Sequence, residues 1–404
     1  MFDLNNFDDL DRLAITNFQE YLRVPSVHPN IDYDLCVKFL KNQAKSLNLP
    51  CNVYYYVPKK PVVLITWSGT DPSAKSILLN SHMDVVPVFE DNWTYKPFDA
   101  HIDEKGNIYA RGTQDMKCVG VQYLEAIRRL KQSGTYLRRT LHISFVPDEE
   151  IGGAVGMQKF VESRDFKILN VGFALDEGMA SANEVFRIFY GERNIWQFNI
   201  HCPGQPGHAA LLLENTAGEK LRCVLDKFSD FRREQKQKLI SNPNLTVGDV
   251  TSVNVTMIQG GVLPNVIPEE LIMLIDCRMP VTLNIKEWEK TILSWCKEAG
   301  EDVWIKYEQK QPQIPATPLN DSNEYWMAFK KAFDNMNLLM KLEIFPAGTD
   351  CRYLREIGIP ALGFSPMYDT PILLHDHNEY LNVYVFLRGI QIYIKLLTAI
   401  ANCN

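Results

Sequence analysis

Apolar runs at 52 to 58, 61 to 67 and 76 to 82 predict three strands. The stretch from Met116 then carries apolar residues at Met116, Val119, Tyr123, Ala126, Ile127 and Leu130, which is helical spacing. Strand-like runs at 141 to 147 and 171 to 176 complete an alternation of strand and helix. That alternation predicts an α/β fold with a mostly parallel sheet covered by helices on both faces. From about residue 191 the order changes to strand 195 to 201, helix 216 to 239, strands 250 to 259 and 270 to 278, helix 284 to 298 and strand 302 to 309. This βαββαβ order predicts a ferredoxin-like α+β unit. The prolines of Gln311-Pro-Gln-Ile-Pro-Ala-Thr-Pro318 predict an extended linker, after which strand and helix patterns resume and a helix near 382 to 400 closes the chain. The expected organisation is a discontinuous larger domain, 1–190 and 312–404, interrupted by a smaller one over 191–311.

A chain of 404 residues that is 46% hydrophobic and 23% charged can bury a large core. Its 42 basic and 49 acidic residues leave a formal charge of −7, with no electrostatic footprint for nucleic acid, so a small-molecule partner is expected. The N-terminus lacks the basic region and apolar core of a signal peptide, and no apolar stretch reads as long enough to span a bilayer, so no membrane partner is expected. Nine cysteines lie dispersed, without the close pairs of a zinc finger or redox motif, which suits reduced thiols in a cytoplasmic protein.

The ends of the apolar runs carry the chemistry. His82 closes Ser76-Ile-Leu-Leu-Asn-Ser-His82, Glu150 closes Leu141-His-Ile-Ser-Phe-Val-Pro-Asp-Glu149-Glu150, and Glu177 closes Val171-Gly-Phe-Ala-Leu-Asp-Glu177. Asp115 stands where a turn becomes a helix, and His375 lies in Leu373-Leu-His375-Asp-His377. Open α/β sheets gather ligands beyond the carboxyl ends of their strands. Alone, His-x-Asp is an ordinary strand end, Asp115 an N-cap and Asp148-Glu149-Glu150 a solvated acidic turn. Together, two imidazoles and three carboxylates have the number and type to hold two zinc ions sharing one carboxylate, the pattern of a two-metal hydrolase. Asp84, two residues after His82 and on the same side of a strand, is expected to orient the His82 ring. Neighbouring acids on extended chain point apart, so Glu150 is expected to bind metal while Glu149 moves protons.

These segments, together with Tyr-Ala-Arg-Gly-Thr-Gln-Asp115-Met-Lys-Cys-Val, resemble the dinuclear-zinc exopeptidases and amidohydrolases over nearly the whole chain. The resemblance implies a zinc-exopeptidase-like catalytic domain and an inserted lid domain that forms a homodimer and lends residues to the partner's site. It implies two zinc ions per subunit: one on His82 and Glu177, the other on Glu150 and His375, with Asp115 bridging. Asp84 matches the family's catalytic aspartate and Glu149 its general base. In Pro206-Gly-His208-Ala, Pro264-Asn265-Val-Ile-Pro and Asp276-Cys-Arg278, His208 is implied to stabilise the oxyanion, and Asn265 and Arg278 to hold substrate. In Ala347-Gly-Thr349-Asp350-Cys-Arg352, Thr349 and Arg352 are implied substrate contacts. The implied reaction is hydrolysis of an N-acyl-L-amino acid such as N-acetyl-L-methionine. Glutamate rather than aspartate at position 177 favours this over a dipeptidase or aminopeptidase, and a silent binding protein ranks below both. Two departures stand out: Met83 where threonine is familiar, and the apolar run Ala210-Leu-Leu-Leu213 after His208.

Overall fold

The computed structural model describes residues 3–403, which divide into two compact units. Of the described residues, the first comprises 3–190, 317–342 and 349–403, and the second comprises 191–316 and 343–348. The chain leaves the first unit where the change of pattern predicts. It returns at 317, five residues beyond the expected 312, and a short piece of a later strand also belongs to the second unit.

In chain order the elements before the insertion are α1 (Asp9–Leu22), α2 (Asp34–Ser46), β1 (Cys51–Val57), β2 (Lys60–Trp67), β3 (Ser76–His82), β4 (His101–Ile102), β5 (Asn107–Tyr109), α3 (Lys117–Gln132), β6 (Leu141–Val146), α4 (Met157–Glu162), α5 (Arg164–Ile168), β7 (Val171–Asp176) and β8 (Val185–Glu192). The insertion holds β9 (Asn194–Pro203), β10 (Gly207–His208), α6 (Ala217–Ser241), β11 (Ser252–Gly260), β12 (Val266–Ile267), β13 (Glu270–Met279), α7 (Ile285–Ala299) and β14 (Trp304–Lys310). After it come α8 (Glu324–Asn335), β15 (Leu339–Phe345), α9 (Cys351–Glu356), β16 (Ala361–Gly363), β17 (Tyr380–Asn382) and α10 (Val383–Ala401).

The large sheet runs β1-β2-β6-β3-β7-β16-β8-β15. Its centre, β6-β3-β7-β16, is parallel, while β1, β2 and β8 pair antiparallel. The sheet is therefore mixed with a parallel middle. Every residue of β3, β6 and β7 is buried, and alternate residues serve two separate cores. Val63, Ile65, Ile77 and Leu79 join α1, α3, α8 and α10 on one face. Val62, Leu64 and Leu78 join α4, α5 and α9 on the other. Burial on both faces is why these strands read as unbroken apolar runs. Because β3, β6 and β7 are adjacent and parallel, their carboxyl ends fall on one edge.

One expectation needs correction. α10 is 19 residues long and apolar enough, by length and composition, to cross a membrane. Its apolar character has another source: Phe386, Ile390, Tyr393 and Leu397 are fully buried in the principal core, where the helix meets α3 and α8.

The second unit is a four-stranded antiparallel sheet, β11-β13-β9-β14, with α6 and α7 covering one face. Alternate residues of β9 (Trp196, Phe198, Ile200, Cys202) and β13 (Met273, Ile275, Cys277, Met279) meet Ile285, Trp288, Ile292 and Cys296 of α7. Period two on the strands and three to four on the helix is the signature of a half-buried sheet under an amphipathic helix. The βαββαβ order is the predicted one. Beside it lies a two-stranded ribbon, β10 with β12, too short to leave a periodic signal.

Candidate metal centre

Five side chains meet at the carboxyl edge of the parallel strands. His82 is the last residue of β3, Glu177 follows β7 directly, and Glu150 lies in a single 3-10 turn, Glu149–Ile151, just beyond β6. Asp115 precedes α3, and His375 comes from the loop before β17. They form two ligand sets, His82–Asp115–Glu177 and Asp115–Glu150–His375, each with its donor atoms within 4.8 Å of one another. Asp115 belongs to both. Its Oδ1 lies 2.9 Å from His82 Nε2, and its Oδ2 3.2 Å from His375 Nε2. Glu177 Oε2 is 3.6 Å from His82 Nε2, and Glu150 Oε2 is 3.1 Å from His375 Nε2.

The electrostatics of the cluster are those of crowded, buried acids. Burial, then the nearby Asp115, pushes the Glu150 carboxyl up to about 7. Burial and Asp115 push Glu177 well up too, and burial with Glu177 does the same to Glu149. His375 is pulled up to about 10 by Asp115 and Glu150. Burial alone would depress His82, but Asp115, Asp84 and Glu177 outweigh it and hold the ring well above its ordinary value. Crowded buried carboxylates call for compensating positive charge. Glu150 Oε1 also has no hydrogen-bond partner among the described residues. Nitrogen and oxygen donors in two sets sharing a carboxylate fit a pair of divalent cations.

The supporting shell differs from expectation at Asp84. His82 Nδ1 meets the backbone carbonyl of Asp84 at 2.9 Å, nearer than the Asp84 carboxylate at 3.6 Å. A carbonyl only accepts, so the neutral ring carries its proton on Nδ1 and turns the Nε2 lone pair to the cluster. The Asp84 carboxylate instead accepts the backbone N–H groups of Glu149 (3.1 Å) and Glu150 (3.0 Å). It thereby clamps the turn that carries both glutamates. Burial would raise the Asp84 carboxyl, but His28, 2.8 Å away, and His82 hold it well below the usual carboxylate range.

A second brace ties the loops of Asp115 and His375 together. The buried Glu379 carboxylate accepts the backbone N–H groups of Gly112, Gln114 and Asp115 and pairs with Arg111 Nη1 at 2.8 Å. Arg111 also donates to the carbonyls of Asp376 and His375. Neither Arg111, Glu379 nor His28 was singled out from the sequence. A signal was present, since Arg111 stands four residues before Asp115 and Glu379 four after His375. Asp148 and His375 each adopt a left-handed backbone with φ of 61°, the kind of strain that functional loops retain.

Of the remaining predicted residues, Arg352 is buried in the first unit, and its Nη2 donates to the carbonyl of Gly152 at 2.7 Å. Its visible work is to hold the far side of the Glu149–Ile151 turn. Thr349 is buried, and its carbonyl accepts from the Arg352 N–H. His208, Asn265 and Arg278 belong to the second unit. The ribbon sets His208 opposite Val266, and the Asn265 carbonyl accepts the N–H of Ala209, so His208 and Asn265 are neighbours. The N–H of Ala210 donates to His208 Nδ1 at 3.1 Å, which leaves the neutral ring with its proton on Nε2. Arg278 is not a free fork: its Nε and Nη2 already bind the two oxygens of Asp276 at 2.8 and 3.0 Å.

A mixed sheet whose parallel centre gathers two linked ligand sets at its carboxyl edge defines a metal-binding hydrolase. The chain belongs to peptidase family M20/M25/M40, whose model matches residues 78–399. It is 49% identical over 389 residues to aminoacylase-1 of Homo sapiens, covering 96% of this chain and 95% of that one. It is 44% identical over 400 residues to aminoacylase-1 of Dictyostelium discoideum, covering 96% and 97%. Within the family it is an aminoacylase-type hydrolase. The fold is shared with an M20 metallo-carboxypeptidase of Sulfolobus solfataricus, at a TM-score of 0.72, 17% identity and coverage of 98% and 100%. It is shared equally with a dinuclear metal binding peptidase of Bacillus subtilis, at a TM-score of 0.70, 15% identity and coverage of 97% and 98%.

Proposed function

We propose that this protein hydrolyses N-acyl-L-amino acids to the free amino acid and a carboxylate, using two zinc ions and Glu149 as general base. The observation that carries the reading is Asp115, which offers one oxygen to each of two histidine-containing ligand sets. Two such ions, when bound, supply Lewis acidity toward water and the amide carbonyl.

The chain's own residues do the rest. Glu149 accepts a proton from the attacking water and returns it to the nitrogen of the leaving amine. Its raised proton affinity suits both halves of that task. Asp84 holds Glu149 in place through the backbone rather than touching substrate. His208, with its proton on Nε2, donates to the carbonyl oxygen as negative charge develops there. Arg278, oriented by Asp276, offers Nη1 to the substrate's α-carboxylate, and Asn265 lies beside His208 to hold the amide.

We read the second unit as a lid that also forms a homodimer and completes the neighbouring site. β11 is an edge strand, and Val255, Met257 and Ile258 on it are exposed apolar residues, a surface suited to a second copy. A cytoplasmic location is read on the same footing, and nine cysteines dispersed along the chain without a close pair are consistent with it.

The direct test is release of amino acid from N-acetyl-L-methionine and from a methionine-containing dipeptide by zinc-loaded protein. Preference for the acylated substrate is expected. Preference for the dipeptide would move the protein to the peptidase branch.

A further inference from the structure

The ribbon that carries His208 is surrounded by leucines and valines facing solvent. Leu211 and Leu212 are exposed on the turn that follows His208, and Val262, Leu263 and Val266 are exposed on the segment paired with it. No charged side chain occurs from Gly207 to Leu213 or from Gly260 to Ile267. Five exposed aliphatic residues gathered at one place are unusual on a protein surface and mark a site of contact.

The segment is built rather than loose. Leu213 folds back so far over Gly207 that a Cβ there would meet its Cδ1 at 2.6 Å. The N–H of Leu211 donates to the His208 carbonyl at 3.0 Å, while the N–H of Ala210 holds the imidazole. One short turn therefore sets both the Nε2–H of His208 and the two leucines.

We infer that Leu211 and Leu212, with Leu263 and Val266 across the ribbon, form the contact surface for an apolar acyl chain, so that the enzyme prefers medium to long aliphatic N-acyl groups over acetyl. The inference rests on the proposed role of His208. The carbonyl that His208 polarises has two substituents. One leads through nitrogen to the charged amino-acid half, which needs a cation such as Arg278. The other is the acyl chain, and it alone matches a surface with no charge and no spare hydrogen-bonding side chain except Asn265.

The test is kcat/KM for the N-acetyl, N-hexanoyl and N-dodecanoyl derivatives of L-methionine, measured on the zinc-loaded protein and on the Leu211→Ser/Leu212→Ser double variant. Each methylene that the leucines cover should raise kcat/KM by about two- to fourfold, so the dodecanoyl-to-acetyl ratio should exceed about tenfold in the natural protein. In the double variant that ratio should fall by about tenfold or more, chiefly through KM. A flat or falling series in the natural protein overturns the inference while leaving acyl-amino-acid hydrolysis intact. The same ratio in both proteins overturns it too, and if the double variant also changes from dimer to monomer, the leucines are a subunit contact instead. Absence of turnover on all three substrates would overturn the proposed function and this inference with it.

Discussion

The two units carry their chemistry in opposite ways. In the first, His82, Asp115 and Glu177 are buried, the Asp84 carbonyl holds His82, and Glu379, paired with Arg111, holds the Asp115 backbone. In the second, His208 is exposed on a two-residue strand, and the leucines beside it face solvent. The first unit is preorganised to bind metal by itself. The second offers groups to which the proposed function gives substrate or another subunit as partner. Preorganised charge in a dry site and adaptable contact at an exposed one are different ways of lowering a barrier.

Substitutions should separate the units accordingly. The largest effect is expected for Asp115→Asn, which removes the carboxylate common to both ligand sets: metal analysis should show loss of both ions and assays no turnover. Retention of two ions would break the bridging assignment. Next, Glu379→Gln weakens the brace on the Asp115 loop, which acts through backbone N–H groups, and leaves every ligand side chain in place. Metal affinity should fall about tenfold to a hundredfold by competition with a chelator, as is usual for residues that orient ligands. An unchanged affinity would mean the loop holds its shape unaided.

Smaller effects belong to the second unit. Arg278→Lys should raise KM about tenfold with two metals retained, because a point charge cannot reproduce a guanidinium already steered by Asp276. A loss of metal there would show that the units are not chemically separate. Ile292→Ala should cost about 2–5 kcal/mol of stability in denaturant unfolding through the cavity it leaves under α7, again with metal content unchanged.

The ligand set was legible because burial writes itself into sequence. β3, β6 and β7 are buried throughout and carry apolar runs (Ile77–Leu79, Phe145–Val146, Phe173–Leu175), so the charged or ligating residues that follow those runs, His82, Glu149-Glu150 and Glu177, stand out. The inserted unit was legible for a related reason, since β9, β13 and α7 each keep one clean period. The braces were not. Arg111 meets Glu379 across 268 residues, and His28 meets Asp84 across 56, and no local pattern announces either pair. Asp84 was found for the wrong contact: its spacing from His82 is right, but its carbonyl does the orienting while its carboxylate reaches the next loop. The apolar run in α10 is long enough for a bilayer by length and composition, and its 19 residues form a buried core helix, which a run of apolar residues alone does not distinguish.

We propose that Glu149 moves protons while its neighbour Glu150 holds metal, a division of labour between adjacent carboxylates. It is tested most directly by measuring zinc content and turnover of N-acetyl-L-methionine on one preparation of the Glu149→Gln variant. Two zinc ions per chain and a rate lower by about a hundredfold or more are expected. Near-normal turnover with both ions bound would contradict it, and loss of an ion would make Glu149 a ligand instead.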